Sequence, residues 1–311
     1  MLREFAPRDL PELLVLLGRH FPEEDALLGR QPESYERIVR RMYRWDARIA
    51  LGILRWVGRP VYRFFVVEEA GHLAATTILT FPSRAGYIST VMVDTPYRRR
   101  GYARRLMGAA IEATRRTGRG YVVLDVLAQN APARALYDRM GFQVLRSQAY
   151  LLRDGSTPPL GDWEDRPGIR PYRRADAKPL VAAARSEMPA TVFDVLPPDP
   201  GQFVQRDPIS TALESVSESW VADVGGIPSA YVAATTSRSV VVGNMTAPII
   251  GPSVDDALAR SIVASALRWL EANDRPRVLT EIADHNTRGR RALEAEGFRE
   301  VYRLDTLVLA I

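Results

Sequence analysis

Three consecutive arginines, Arg98, Arg99 and Arg100, stand directly before Gly101, Tyr102 and Ala103, where an apolar run passes through a proline turn into a helix-patterned segment, "VMVDTPYRRRGYAR". The chemistry this spacing supports is anion binding. A glycine and a small residue let backbone N–H groups approach a ligand, and a helix N-terminus adds unpaired donors and partial positive charge. Other chemistries are excluded by what the chain lacks. It has no cysteine, so disulfides, thiolate metal sites and cysteine nucleophiles are ruled out, and its histidines, His20, His72 and His285, lie far apart without ligand spacing. No metal is expected.

The elements that must position this stretch read as alternating strands and helices. Upstream, "VYRFFVVEEAGHLAATTILTF" divides at Ala70-Gly71 into a hairpin, and "YISTVMV" is a third strand. Downstream, Leu106, Met107, Ala110 and Ile111 mark one face of a helix from Tyr102 to Arg116, and "YVVLDVL" is a nearly continuous apolar strand of the kind buried on both faces. "NAPARALYDRMGF" gives a further helix with Asn130 near its start as a cap and Gly141 at its end, followed by a strand through Leu152. At the N-terminus, Leu10, Leu13, Leu14, Leu16 and Leu17 predict a helix over Arg8 to His20. A basic, aromatic-bearing amphipathic stretch from about Glu33 through Trp56 reads as packed helix in preference to a surface for membrane or an acyl chain.

The chain has 311 residues, 46% hydrophobic and 25% charged, with a formal net charge of +5, which suits two globular domains. Acidic residues are interspersed among the basic ones and no nucleic-acid module appears, so no nucleic-acid partner is expected. No apolar run approaches a bilayer span and the first residues carry no signal-peptide pattern, so the expectation is a cytoplasmic protein without a membrane partner. The Pro-, Gly- and acid-rich residues 153–168 read as a linker between domains at 1–152 and 169–311.

The two halves look duplicated. Setting "QNAPARALYDRMGF" on "HNTRGRRALEAEGF" places Phe142 on Phe298, 156 positions on, and the same displacement puts Asn130 on Asn286 and Gly141 on Gly297. Carried back to the arginines, it holds the register and loses the chemistry. Arg98, Gly101 and Ala103 become Val254, Ala257 and Ala259, Arg99 and Arg100 become Asp255 and Asp256, and Met92 becomes Pro248. Two carboxylates at that helix end oppose an anion, and a proline has no N–H to donate. The second copy is expected to keep the fold and lose the ligand.

With Arg98-x-x-Gly101-x-Ala103 preceded by a strand and followed by a helix, and with Asn130, Tyr137 and Gly141-Phe142 in order behind it, the chain resembles the tandem-repeat members of the GNAT superfamily of acyl-CoA-dependent N-acetyltransferases. The resemblance implies a mixed α/β fold, a mostly antiparallel central sheet flanked by helices, duplicated in tandem. It implies acetyl-CoA as cosubstrate, with pantetheine in a wedge where the strands around Val91 to Val93 and Val123 to Val126 part. Backbone groups of Val91, Met92 and Val93 would hold it, the pyrophosphate would lie on the N–H groups and arginines from Arg98 through Arg99, Arg100, Gly101, Tyr102 and Ala103 to Arg104, and Asn130 would hold the arm. Tyr137 would protonate the departing thiolate. For the general base the carry-over fails, because the family's early-strand glutamate position is Tyr87; Asp125 is the candidate, with Glu68 and Glu69 as others within reach of the hairpin. The expected activity is acetyl transfer to a primary amine, small-molecule or peptide, by the N-terminal half, with the C-terminal half shaping the acceptor groove or a homodimer. The alternatives are a non-catalytic acyl-CoA-binding sensor or scaffold, and a synthase of the mycothiol type. In the latter the resemblance puts the chemistry in the C-terminal copy, whereas here the N-terminal copy keeps the motif.

Overall fold

The computed structural model describes residues 1–20, 62–81, 84–156, 168–198, 203, 215–237 and 241–311. The amphipathic stretch from Glu33 and most of the expected linker lie outside the described residues. The chain divides into two compact units: among the described residues, the first holds the chain up to Leu145 together with Asp305–Ile311, and the second is Arg146–Leu304.

The first unit runs β1 (Leu2–Glu4), α1 (Leu10–His20), β2 (Tyr62–Glu69), β3 (His72–Thr80), β4 (Ala85–Val93), α2 (Tyr102–Arg115), β5 (Tyr121–Leu127) and α3 (Ala131–Arg139). The strands lie in the order β1-β2-β3-β4-β5, followed by residues of β13 (Arg299–Ala310). Neighbours from β1 to β4 are antiparallel, and β4 with β5 is parallel. Ala70 and Gly71 both have left-handed φ, 50° and 83°, the geometry that closes a two-residue hairpin between β2 and β3. Strand β2 is apolar on both faces because helices cover both. Phe64 and Val66 join Leu13, Leu16 and Leu17 of α1, while Phe65 and Val67 join Leu106, Met107 and Ala110 of α2. Helix α2 comes so close to β4 that a Cβ at Gly86 would stand 2.2 Å from Thr114 Oγ1, so any side chain there displaces the helix.

The second unit contains β7 (Ile169–Pro171), α4 (Ala177–Arg185), α5 (Ala190–Val195), β8 (Val216–Val224), β9 (Ile227–Thr236), β10 (Gly243–Met245), β11 (Ile249–Ile250), α6 (Asp256–Ala272), β12 (Val278–Ala283) and α7 (Thr287–Ala295), with most of β6 (Gln143–Arg153) and the start of β13. Its order is β6-β12-β10-β9-β8-β7, and the parallel pair is β10 with β12. Both units begin with the same device. Arg3 makes a two-pronged contact with Asp9 at 2.6 and 2.7 Å and reaches Glu68 at 2.8 Å. Arg170 repeats it with Asp176 at 2.8 and 2.9 Å and Asp223 at 2.8 Å.

The units therefore exchange their last strands. From Arg146 onward β6 pairs with β12, from Gln148↔Ala283 to Arg153↔Val278, in the second unit. Leu307 is buried in the first unit's core, and the Ile311 N–H donates to the Gly120 carbonyl at 3.0 Å. A cut near residue 152, the boundary read from composition, assigns all of β6 to the first half, because the linker marks where the chain is polar and not which sheet each strand completes.

Candidate functional site

The wedge between β4 and β5 follows from their register. The parallel ladder runs from Ala85↔Tyr121 to Ile88↔Leu124 and stops. Val123 and Leu124 are still paired, so the strands part after them, leaving Ser89–Val93 and Asp125–Leu127 facing one another across the gap. A bulge in β4 opposite the Thr76–Ile78 step of β3, with Thr90 at a left-handed φ of 54°, turns the strand at this point. Asp94 N–H donates to the Ala74 carbonyl at 2.9 Å. Antiparallel alternation then directs the N–H and C=O of Met92 into the ladder with Thr76, while the groups of Val91 and the N–H of Val93 are directed away from β3, the Val93 carbonyl being engaged by His20 and Arg98. Of the three expected backbone contacts, Met92 is thus committed to β3. Its side chain is buried under α1.

The anion loop is built by two left-handed residues, Arg99 with φ 65° and Gly101 with φ 78°, the latter capping α2. Among the described residues the N–H groups of residues 99 to 104 have no acceptor, which is the state of a helix N-terminus that waits for one. Arg98, Arg99, Arg100 and Arg104 are all exposed. Arg98 donates from Nε to the Val93 carbonyl at 3.3 Å and lies 3.4 Å from His20. Arg100 pairs with Glu69 at 3.0 Å, and Tyr102 donates its hydroxyl to the same carboxylate. That Tyr102 hydrogen bond, with Arg100, holds Glu69 below the usual carboxylate range. Arg99 and Arg104 have no ion pair or hydrogen bond among the described residues. Glu69 anchors the loop, and Glu68 is bound to Arg3, so neither is presented as a base.

His20 is a member of this region that sequence spacing does not reveal. Its ring nitrogens lie 2.9 Å from the Leu16 carbonyl and 3.0 Å from the Val93 carbonyl, tying α1 to the end of β4. A groove of about 500 Å³ lies beyond it, between α1 and the turn after β4, and includes Glu12, His72 and Tyr97. It contains neither Tyr137 nor Asp125. Among the described residues no cluster could hold a metal ion.

Tyr137 lies on α3 with its ring buried against Phe142, centroids 6.0 Å apart. Burial pushes its phenol up to about 12, and its hydroxyl has no hydrogen-bond partner among the described residues. The group is a phenol at any physiological pH, fit to donate a proton. Asn130 is the cap of α3, its Oδ1 accepting from Ala133 N–H at 3.2 Å. On β5, Asp125 accepts from the Tyr87 hydroxyl at 2.5 Å and from the Thr306 hydroxyl at 2.6 Å. Tyr87, where the family resemblance would place a glutamate, is thus the partner of the candidate base.

The second unit shows the same frame with its helix ends satisfied from within the chain. Asp255 caps α6, its Oδ1 accepting from Leu258 N–H at 2.7 Å, so the chain's own carboxylate satisfies the helix end. Asn286 caps α7 through Gly289 N–H at 3.0 Å as Asn130 does α3, but its Nδ2 also donates to the Pro248 carbonyl at 2.8 Å. A Cβ at Gly289 would stand 2.7 Å from that carbonyl, so helix and strand are in direct contact where the first unit has its gap.

Residues 26–142 match the family model described as Acetyltransferase (GNAT) family. The [Ribosomal protein bS18]-alanine N-acetyltransferase of Escherichia coli K12 is 31% identical over 96 residues, 30% of this chain and 65% of that protein. The N-alpha-acetyltransferase MAK3 of Arabidopsis thaliana is 44% identical over 57 residues, 18% of this chain and 30% of that one. The chain thus spans less than two thirds of the length of these relatives. In fold it is similar to a tandem GNAT protein from the clavulanic acid biosynthesis pathway, with a TM-score of 0.58 at 16% identity over 80% of this chain and 82% of the other. It is also similar to a GCN5-related N-acetyltransferase from Sphaerobacter thermophilus, at 0.65 and 15% over 100% and 95%. The parted strands, the arginine-glycine loop and these likenesses agree in one respect: residues 26–142 are similar to GNAT acetyltransferase domains, and the fold is that of tandem GNAT proteins.

Proposed function

We propose that the first unit transfers the acetyl group of acetyl-CoA to a primary amine by direct attack while both substrates are bound. One observation carries the reading: β4 leaves β5 immediately before a helix N-terminus whose N–H donors are unpaired and whose Arg99 and Arg104 have no partner among the described residues. A pyrophosphate fits those donors, and a pantetheine arm fits the gap, where Val91 and Val93 offer strand-like backbone groups. The Asn130 amide lies at the head of α3 beside it.

In this reading the amine first gives a proton to Asp125, the carboxylate oriented by Tyr87. The amine lone pair then attacks the thioester carbon, forming the C–N bond as the carbonyl oxygen takes negative charge beside the Val93 N–H. Collapse breaks the C–S bond, the thiolate takes the Tyr137 proton, and the nitrogen, cationic since the attack, gives up its second proton to the Tyr137 phenolate by way of solvent, leaving a neutral amide. The products are an acetylated amine and free CoA thiol, with the proton on Asp125 released to solvent and Tyr137 reprotonated. The relatives' names mention alanine N-acetylation and N-alpha-acetylation, which brings an α-amine into the panel of acceptors to be tried. The second unit, with its slot closed, serves as structure.

The competing reading is acetyl-CoA binding without transfer, and the engagement of both Asp125 oxygens by hydroxyls favours it. A thiol-detecting reagent decides, because a chain without cysteine gives no background. Polyamines, amino acids, aminoglycosides and peptide N-termini are offered with acetyl-CoA. Release of CoA above the hydrolysis rate with at least one amine is expected; binding of acetyl-CoA without release in any case leaves the sensor.

A further inference from the structure

We infer that the chain's last strand supplies a positioning residue, Thr306, to the acetyl-transfer site of the first unit. The inference rests on the reading of Asp125 as the proton acceptor. Thr306 is 1% exposed, and its hydroxyl donates to Asp125 Oδ1 at 2.6 Å while Tyr87 takes Oδ2 at 2.5 Å. The two donors grip opposite oxygens, which fixes the carboxylate plane and leaves each oxygen a second lone pair. Its neighbours anchor the strand: Asp305 pairs with Arg134 of α3, Leu307 is buried in the core, and Ile311 bonds Gly120. The strand that completes Asp125 is encoded about 180 residues after it and beyond the whole second copy.

The second unit supplies an independent observation. At the same displacement of 156, Asp125 becomes Glu281 and Thr306 becomes Tyr150. Tyr150 donates its hydroxyl to Glu281 at 2.7 Å, so the exchanged strand presents a hydroxyl to the central-strand carboxylate in both copies. Residue types differ while the pair is kept. Where the slot is closed, the pair is the bulky glutamate and tyrosine, with Tyr302 stacked on Tyr150 at 4.5 Å. Where β4 and β5 part, it is the compact aspartate and threonine, which orient a carboxylate and leave room beside it. Among the described residues the groups presented to Asp125 are the Tyr87 phenol from β4 and the Thr306 hydroxyl from β13, and the neighbouring charge of Arg134 on α3 is met by Asp305.

The test compares Thr306→Val and Thr306→Ser in the full chain. Loss of one hydrogen bond to a charged acceptor should lower kcat about tenfold in the valine variant and leave acetyl-CoA Kd within about twofold, and serine should restore kcat to within about threefold. Observed by carbon-13 NMR at a single pH, the Asp125 carboxyl resonance should move in the valine variant and return in the serine variant, since the hydroxyl donor to it is lost and then restored. Thr306→Ala takes the same measurements if valine prevents folding. An unchanged kcat, or a loss that serine does not repair, overturns the role. Wild-type silence toward every amine would instead count against acetyl transfer, and the carboxyl resonance then decides for Thr306 alone: an unmoved Asp125 signal in the valine variant overturns it.

Discussion

Replacing Tyr137 with phenylalanine removes one oxygen from a place where the fold does not use it. The ring is 6% exposed and packs on Phe142, and the hydroxyl bonds to nothing among the described residues. Phenylalanine keeps those ring contacts, so thermal stability should move by no more than about 0.5 kcal/mol. The catalytic consequence should be much larger. Burial raises the phenol from 10.0 to about 12, a bias of roughly 3 kcal/mol toward the protonated form. The proton is thus available through the whole assay range. A positioned general acid contributes about 10² to 10⁴-fold, so kcat should fall by that factor while acetyl-CoA Kd stays within about twofold. Acyl donors whose thiols are more acidic need less help in leaving, and the deficit should shrink with them. Steady-state thiol release, titration calorimetry and a melting curve on the same preparation read the three quantities. A kcat within about threefold of wild type, or a deficit indifferent to the leaving group, would refute the acid role.

Calorimetric titration should find one acetyl-CoA per chain, because Asp255 and the Asn286–Pro248 contact occupy the second copy's site; two sites of similar affinity would overturn that reading. Arg99→Ala and Arg104→Ala should each raise KM for acetyl-CoA about tenfold, with little change in kcat and a weaker salt dependence of binding, since each removes an exposed charge aimed at phosphate; unchanged KM in both would remove the loop from the cofactor site. Glu296 gives a pH prediction of opposite sign to the usual carboxylate. Burial, only partly offset by Arg260 at 2.9 Å, raises it from 4.5 to about 7. The folded state therefore holds the proton more tightly than the unfolded chain between those values. Its contribution is full below pH 4.5 and is lost as pH rises through 7. In Glu296→Gln the melting temperature should decline less over that window than in wild type, and parallel curves would show that the residue is not the source.

Local chemistry made much of this molecule legible without coordinates. The hairpin at Ala70-Gly71, the helix opened at Gly101, the Asn130 cap and the continuous apolarity of β5 are all consequences of backbone preference and periodicity, which act over a few residues. The expectation that the second copy binds no anion rests on equally local grounds, since an aspartate at a helix N-terminus and a proline in place of a strand N–H mean the same in any tertiary setting. The detail was not legible: Asp255 does more than repel an anion, it caps the helix in the anion's place.

What the sequence by itself determined is the inventory of elements, the duplication and the turn that opens a helix at Gly101, because short-range sterics, capping and charge suffice for each. Only the tertiary structure decided which groups of β4 face the gap, where β4 and β5 part, and which strand completes which sheet. Met92 and Val93 are neighbours of similar type, yet ladder alternation commits one and frees the other. Thr306 carries no local signal at all. Its partner is set by which strand completes the first unit, a long-range choice, and Asp125 acquires its geometry from a residue that no pattern within its own half contains.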